Sequence, residues 1–294
     1  MLAIVGPTAS GKTDMAIEIA LKLGAEIISV DSMQVYRGMD IGTAKPTLIE
    51  RRGVPHHMID VADPSDEFTV ADFRRQGKAV MSSVDGPVII TGGSGLHFRS
   101  LVDPMTFAPT DSGLRAELEA ADPGDLVEEL VEMDPLAGER VDLANIRRVV
   151  RAVEIARLTG ETPSSRAATE EAEDIRRYRS EVEFTAVGLD PGQELDDRVE
   201  RRLREMRSGG LVQEVRGLRD RLGRTARAAV GYREVLSHIA GELTEDGAFE
   251  AAALNTKKLA RKQRTWFQRD PRIRWIPWSD DVDERTERAL EMLT

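Results

Sequence analysis

A chain of 294 residues is long enough for one large domain or for a core carrying an insertion, and 40% hydrophobic with 32% charged residues describes a globular protein. No apolar run approaches the ~18 residues of a membrane helix, and the absence of cysteine excludes disulfides, thiol catalysis and Cys-based zinc sites. The net charge of −11 argues against nucleic acid until its distribution is followed: 198–233 and 257–274 each carry net +7, leaving −25 for the rest. Such asymmetry is either the footprint of a polyanion site or two solvated helix faces.

Leu2–Val5 is a short apolar run that predicts a buried strand. No basic region or cleavage site precedes it, so no signal peptide is expected and a cytoplasmic protein is. Gly6 to Thr13 reads GPTASGKT and matches G-x-x-x-x-G-K-[ST], the P-loop. Ala16, Ile19, Ala20 and Leu23 then recur at helical spacing, and Gly24 can end that helix. Strand, glycine loop and helix N-terminus aim backbone N–H groups at an anion. Gly6, Pro7, Thr8, Ala9, Ser10, Gly11, Lys12 and Thr13 are therefore the expected phosphate cradle. Lys12 would reach the outer phosphate oxygens and Thr13 would hold a magnesium ion (Mg2+). A chance glycine turn is the bland alternative, and the flanking strand and helix weigh against it.

Ala25–Val30 predicts a second strand that runs into Asp31-Ser32, at the edge where parallel α/β sheets bind ligands. Asp31 there fits a general base, a magnesium ligand or a helix cap. Gln34–Pro46 is a glycine-containing loop with two basic residues, and His57–Val61 is a further extended candidate containing Asp60. Phe68–Val84 has helical spacing, and Pro87–Thr91 is an apolar strand followed by Gly92-Gly93-Ser94-Gly95. The order predicts an α/β fold: a P-loop-type core with a parallel sheet flanked by helices. A GTPase or motor ATPase is disfavoured. The PVIIT strand ends in Thr91 where an Asp would help bind magnesium, Asp60 is a weak substitute, and no N-K-x-D is present.

Pro104 to Pro109 breaks the pattern, and Ser112 to about Ser180 reads helical and strand-poor. This predicts a small helical insertion at 111–180 in a core of 1–110 and 181–294. Phe184–Leu189 resumes the sheet; basic helices follow at 198–221 and about 248–269, then a last strand at Arg272–Ile276 and a closing helix at 280–293. His56 and His57, adjacent on an extended segment, point to opposite faces and share no metal. With the isolated His97 and His238 they read as structural. Two of Arg147, Arg148 and Arg151 share a helix face, either as a polyanion contact or as surface charge and partners of Glu154. Trp266 and Phe267 lie among cations in RKQRTWFQR, which suits base stacking beside phosphates or burial of the helix into the core. Gly231-Tyr232-Arg233 follows Ala228-Ala229-Val230, small residues that permit close backbone approach.

Taken together, GPTASGKT, ISVDSMQVYRGMDIGTAKP, GGSGL, VGYRE and RKQRTWF resemble, in order and from residue 2 to about 276, the tRNA dimethylallyltransferases (tRNA isopentenyltransferases) of bacterial type. The resemblance implies that the P-loop holds the diphosphate of dimethylallyl diphosphate. The acceptor it implies is the exocyclic amine of the adenine 3′ of the anticodon in tRNAs reading codons that begin with U. It assigns Asp31 as general base, Thr13 with Mg2+ and Lys12 to the diphosphate, and Arg202 as diphosphate clamp. It places Asp31, Ser32, Met33, Gln34, Ser94, Arg147, Arg148, Arg151, Gly231, Tyr232, Arg233, Arg261, Lys262, Gln263 and Trp266 at the tRNA anticodon stem-loop. Ser94 stands where most such enzymes have Thr, and His97 where Tyr is common. A monomer with no membrane contact and no zinc-finger extension is expected. Two other classes remain open to the residues alone: a small-molecule P-loop kinase, which leaves the basic segments unexplained, and a non-catalytic RNA-binding protein, which leaves Lys12, Thr13 and Asp31 unexplained.

Overall fold

The computed structural model describes residues 1–292, so residue 293 of the expected closing helix lies outside them. In chain order the elements are β1 (Leu2–Val5), α1 (Lys12–Leu23), β2 (Glu26–Ser29), β3 (His56–His57), α2 (Val70–Ser83), β4 (Val88–Gly92) and α3 (Gly95–Val102). Six helices follow: α4 (Ser112–Ala120), α5 (Pro123–Met133), α6 (Ala137–Arg140), α7 (Ile146–Thr159), α8 (Pro163–Ala167) and α9 (Glu170–Arg176). Then come β5 (Thr185–Gly188), α10 (Leu195–Ser208), α11 (Leu211–Leu218), α12 (Arg224–Arg227), α13 (Tyr232–Ile239), α14 (Glu245–Gln268), β6 (Ile273–Trp275) and α15 (Val282–Glu291). The chain divides into two compact units, Met1–Val102 with Val182–Thr294, and Asp103–Glu181.

The first unit is built on a six-stranded sheet of order β3-β2-β4-β1-β5-β6, parallel throughout. Central β1 pairs Leu2 with Ile89 of β4 and with Thr185 of β5. Its side chains alternate between two apolar clusters: Ala3 and Val5 join one with Phe73, Phe98 and Phe267, while Leu2 and Ile4 join another with Met15, Ile19 and Ala289. Both faces are thus covered by helices, which is why the strands read as near-continuous apolar runs. Because all strands run the same way, the P-loop after β1, Asp31 after β2 and Gly93-Ser94 after β4 leave the sheet at one edge.

The strand expected at His57–Val61 is only two residues long. Met58 and Asp60 take φ of +61° and +58°, outside the β region, so pairing stops at His57. Asp60 instead accepts a hydrogen bond from Lys45 Nζ at 2.6 Å. The basic stretch 198–221 is two helices, broken at Gly209-Gly210. The second unit, α4–α9, packs Leu118, Leu126, Leu130, Val149 and Val153 into a core of its own. Its fully buried Glu154 is bonded by Arg115, by Arg151 and by the Asp111 N–H. Burial works against that carboxylate, but the three donors outweigh it and hold its pKa below the usual range. Among the described residues no helix is long and apolar enough to cross a membrane.

Candidate active site at the carboxyl edge of the sheet

The P-loop is held by residues far away in sequence. Gly11 has φ +82°, a left-handed backbone that favours glycine, and a Cβ there would fall 2.9 Å from the Arg285 guanidinium. Trp278 Nε1 donates to Ser10 O at 3.1 Å and Arg198 Nε to Ala9 O at 2.7 Å. Gln263 of α14 accepts from the Thr8 N–H at 2.8 Å, and Arg202 of α10 donates to Thr8 Oγ1 at 3.2 Å. Trp278, Arg198 and Arg285 escape a motif reading, because nothing local marks a partner 189 or 268 residues distant.

Lys12 opens α1 and is buried, its ammonium donating to Pro7 O at 2.6 Å. Burial, then the nearby Arg202, push its pKa down to about 7, and Asp31 only partly opposes them. Arg202 is also lowered by burial, against the pull of Asp31 and Asp14. Among the described residues neither cation makes an ion pair, and the Ser10 hydroxyl is buried without a partner. Crowded cations in a low-dielectric site are unfavourable until an anion joins them. They border a basin of about 540 Å³ that Thr13, Arg201 and Arg202 also line.

Beside this basin lies a second cavity of about 310 Å³, lined by Asp31, Ser32, Ser94, Arg202, Gln263 and Trp266 among others. Asp31 Oδ1 accepts from the N–H groups of Met33 and Gln34, at 2.8 and 3.3 Å. That is a turn cap, and it fixes the side chain, while among the described residues no donor engages Oδ2. Capping and a chemical role are therefore compatible in this carboxylate. Of the Trp266-Phe267 pair, Phe267 is fully buried in the core, and Trp266 is 43% exposed and faces the cavity. Burial into the core thus holds for Phe267, and Trp266 is left exposed at the cavity.

The other expected contact residues divide by environment. Met33, Gly231 and Lys262 line the same cavity. Gln34 is buried, with Oε1 accepting from Ser29 Oγ and Nε2 donating to Thr43 O. Tyr232 is fully buried, its hydroxyl bonded to Glu214, and Arg233 pairs with Glu234. Arg261 pairs with Asp196 at 2.9 Å. In the second unit, Arg151 is held by Glu154 and the Pro109 and Ala108 carbonyls, while Arg147 and Arg148 border a groove of about 880 Å³ with Arg140 and Arg166. Among the described residues no cluster of three or more His, Asp or Glu side chains could hold a metal. A cation at the P-loop would take the Thr13 hydroxyl and complete its shell from phosphate and water, the habit of Mg2+.

A family model described as IPP transferase matches residues 34–270. A tRNA dimethylallyltransferase of Bifidobacterium longum is 41% identical over 290 residues, covering 94% of this chain and 86% of that one. One from Streptomyces avermitilis is 40% identical over 306 residues, covering 100% and 95%. Among solved structures, the tRNA isopentenylpyrophosphate transferase of Bacillus halodurans superimposes with a TM-score of 0.72 at 35% identity, over 99% of this chain and 94% of that one. The family model covers the helix that carries Trp266, the likeness to the Bacillus halodurans structure extends over 99% of the chain, and the chain belongs to the IPP transferase family.

Proposed function

We propose that the protein transfers a dimethylallyl group from dimethylallyl diphosphate to the exocyclic amine of the adenine 3′ of the anticodon, in tRNAs reading codons that begin with U, and releases diphosphate. The activity for which its relatives are named is prenyl transfer to tRNA, not phosphorylation of a small molecule. The observation that carries the reading is the position of Arg202. It lines both the basin of the buried Lys12 and the cavity that holds Asp31 and Trp266. A diphosphate on one side and a base on the other would meet there.

The division of labour follows from the side chains. P-loop N–H groups, Lys12 and Arg202 bind the diphosphate and stabilise charge as it leaves. Thr13 would hold Mg2+, which when bound neutralises further charge on the diphosphate. The target adenine must leave the anticodon-loop stack, and the exposed Trp266 face offers a replacement stacking surface. The amine lone pair is delocalised into the ring, so its nucleophilicity must be raised. Asp31, through Oδ2, accepts a hydrogen bond from the amine and then its proton. The N–C bond forms at the allylic carbon as the C–O bond breaks, and the electron pair leaves on the diphosphate. Lys258 and Lys262, which make no ion pair among the described residues, and the Arg147–Arg148 groove of the second unit would contact tRNA phosphates.

The test is mass spectrometry of nucleosides from an unmodified anticodon stem-loop incubated with protein, magnesium and dimethylallyl diphosphate. One dimethylallyl group on the adenine 3′ of the anticodon is expected. No addition, with stem-loop binding confirmed, would overturn the donor assignment and direct the search to ATP and a small acceptor.

A further inference from the structure

Ser94 is brought to Asp31 by a close approach of two backbones. Gly92 ends β4, and a Cβ there would stand 2.4 Å from Val30 O, at the end of β2. Past that point the Ser94 N–H donates to the same carbonyl at 3.1 Å, one residue before Asp31. Ser94 directly precedes α3, where a serine hydroxyl ordinarily caps the helix amides. Its Oγ lies instead 2.7 Å from Nδ1 of His97, in the first turn of α3. The His97 ring is fixed edge-on against Phe73, with centroids 4.6 Å apart and planes at 83°. Burial pushes the imidazole down to about 4 with Asp31 opposing, so it is neutral near pH 7 and has one unprotonated nitrogen.

We propose that His97 is a positioning residue for the transfer: its Nδ1 accepts the Ser94 hydroxyl hydrogen and turns the Ser94 oxygen toward the cavity as a fixed acceptor for the second N–H of the acceptor amine. This rests on the prenyl-transfer reading above. The amine carries two hydrogens. One goes to Asp31 as the N–C bond forms; the other stays on the product nitrogen, and Ser94 Oγ holds it so that the lone pair faces the allylic carbon. Without His97 the hydroxyl rotor is unconstrained and can point its own hydrogen at the amine, which has no free acceptor for it in the reactive orientation. His97 never touches substrate and acts only through Ser94.

A double-mutant cycle on single-turnover transfer to the anticodon stem-loop tests this. His97→Phe keeps the edge-on packing and removes Nδ1, and Ser94→Ala removes the hydroxyl. His97→Asn returns a polar atom close to the Nδ1 position. His97→Phe should slow transfer about tenfold, the worth of one hydrogen bond, with stem-loop affinity unchanged. In the Ser94→Ala background the same change should have no further effect, and His97→Asn should restore most of the rate. If His97→Phe slows both backgrounds equally, or neither, the role is packing alone and the proposal fails. Should the Phe variant not fold, His97→Leu takes its place in the cycle. A wild-type protein that does not alkylate the stem-loop would sink the prenyl-transfer reading itself, and this inference with it.

Discussion

Two groups of cations in this molecule look alike in sequence and differ in physics. Among the described residues Lys12 and Arg202 make no ion pair, and burial holds both below their ordinary pKa values. The cations of α14 are surface groups, several of them already neutralised: Lys257 by Glu200 at 2.6 Å, Arg261 by Asp196 at 2.9 Å and Arg264 by Asp190 at 2.6 Å. The first group is destabilised until a compact polyanion arrives. The second is at rest without one, and among the described residues its members without an ion pair are Lys258 and Lys262. Charge density along the chain therefore does not separate the paired surface cations of α14 from the crowded cations at the P-loop.

The sharpest way to break the contrast is at the carboxylate between the two. Asp31→Asn keeps an acceptor for the Met33 and Gln34 amides but cannot take a proton. Transfer should fall by about 10²–10⁴ while stem-loop binding, read by filter retention, stays the same. Near-normal turnover would remove Asp31 as base. Next in size is Lys12→Met, expected to cost about 10²–10³ in transfer. It should also stabilise the free protein. The Lys12 pKa falls from 10.5 unfolded to about 7 folded, so between those values the unfolded chain binds more protons and stability rises with pH. Thermal denaturation from pH 7 to 10 should show that rise in the wild type and a flatter profile in Lys12→Met. Diphosphate restores the lysine's charge, so its binding at pH 8 should take up a proton, seen by calorimetry in buffers of different ionisation enthalpy. No uptake would mean that Lys12 does not meet the anion.

The sheet was legible because its strands are short apolar runs bounded by glycines, and the P-loop because its function fixes residue types at fixed spacing. Less visible was what depends on partners. Met58 and Asp60 stop a strand through backbone angles that neither residue type announces. Gln263 could be placed on a basic helix, but not at the Thr8 amide, 255 residues away. His97 read as structural, and its contact with Ser94 comes from geometry that no motif marks. Trp266-Phe267 posed a choice between core and interface on which helix geometry bears: consecutive residues lie about 100° apart, so Phe267 is buried in the core while Trp266 stays exposed at the cavity. Trp266→Ala should therefore cost about 1–3 kcal/mol in stem-loop binding with little change in unfolding. Phe267→Ala should cost about 3–5 kcal/mol in stability. Equal effects in both measurements would erase the distinction.

The smallest expected effect discriminates best among the surface cations. Each phosphate contact made by a cation contributes about 0.7 to the slope of log affinity against log salt for single-stranded nucleic acid. Lys258→Gln with Lys262→Gln should then lower the slope by roughly 1.4. Lys257→Gln with Arg261→Gln removes the same formal charge, but leaves Glu200 and Asp196 without the partners they have in the free protein. If the tRNA does not displace those acids, the second pair of changes should leave the slope where it was and lower affinity only through added repulsion. Equal slopes lost by both pairs would mean that the acidic start of α10 releases its cations on binding. The resting ion pairs would then be part of the tRNA interface, and the contrast with Lys12 and Arg202 would narrow to burial alone.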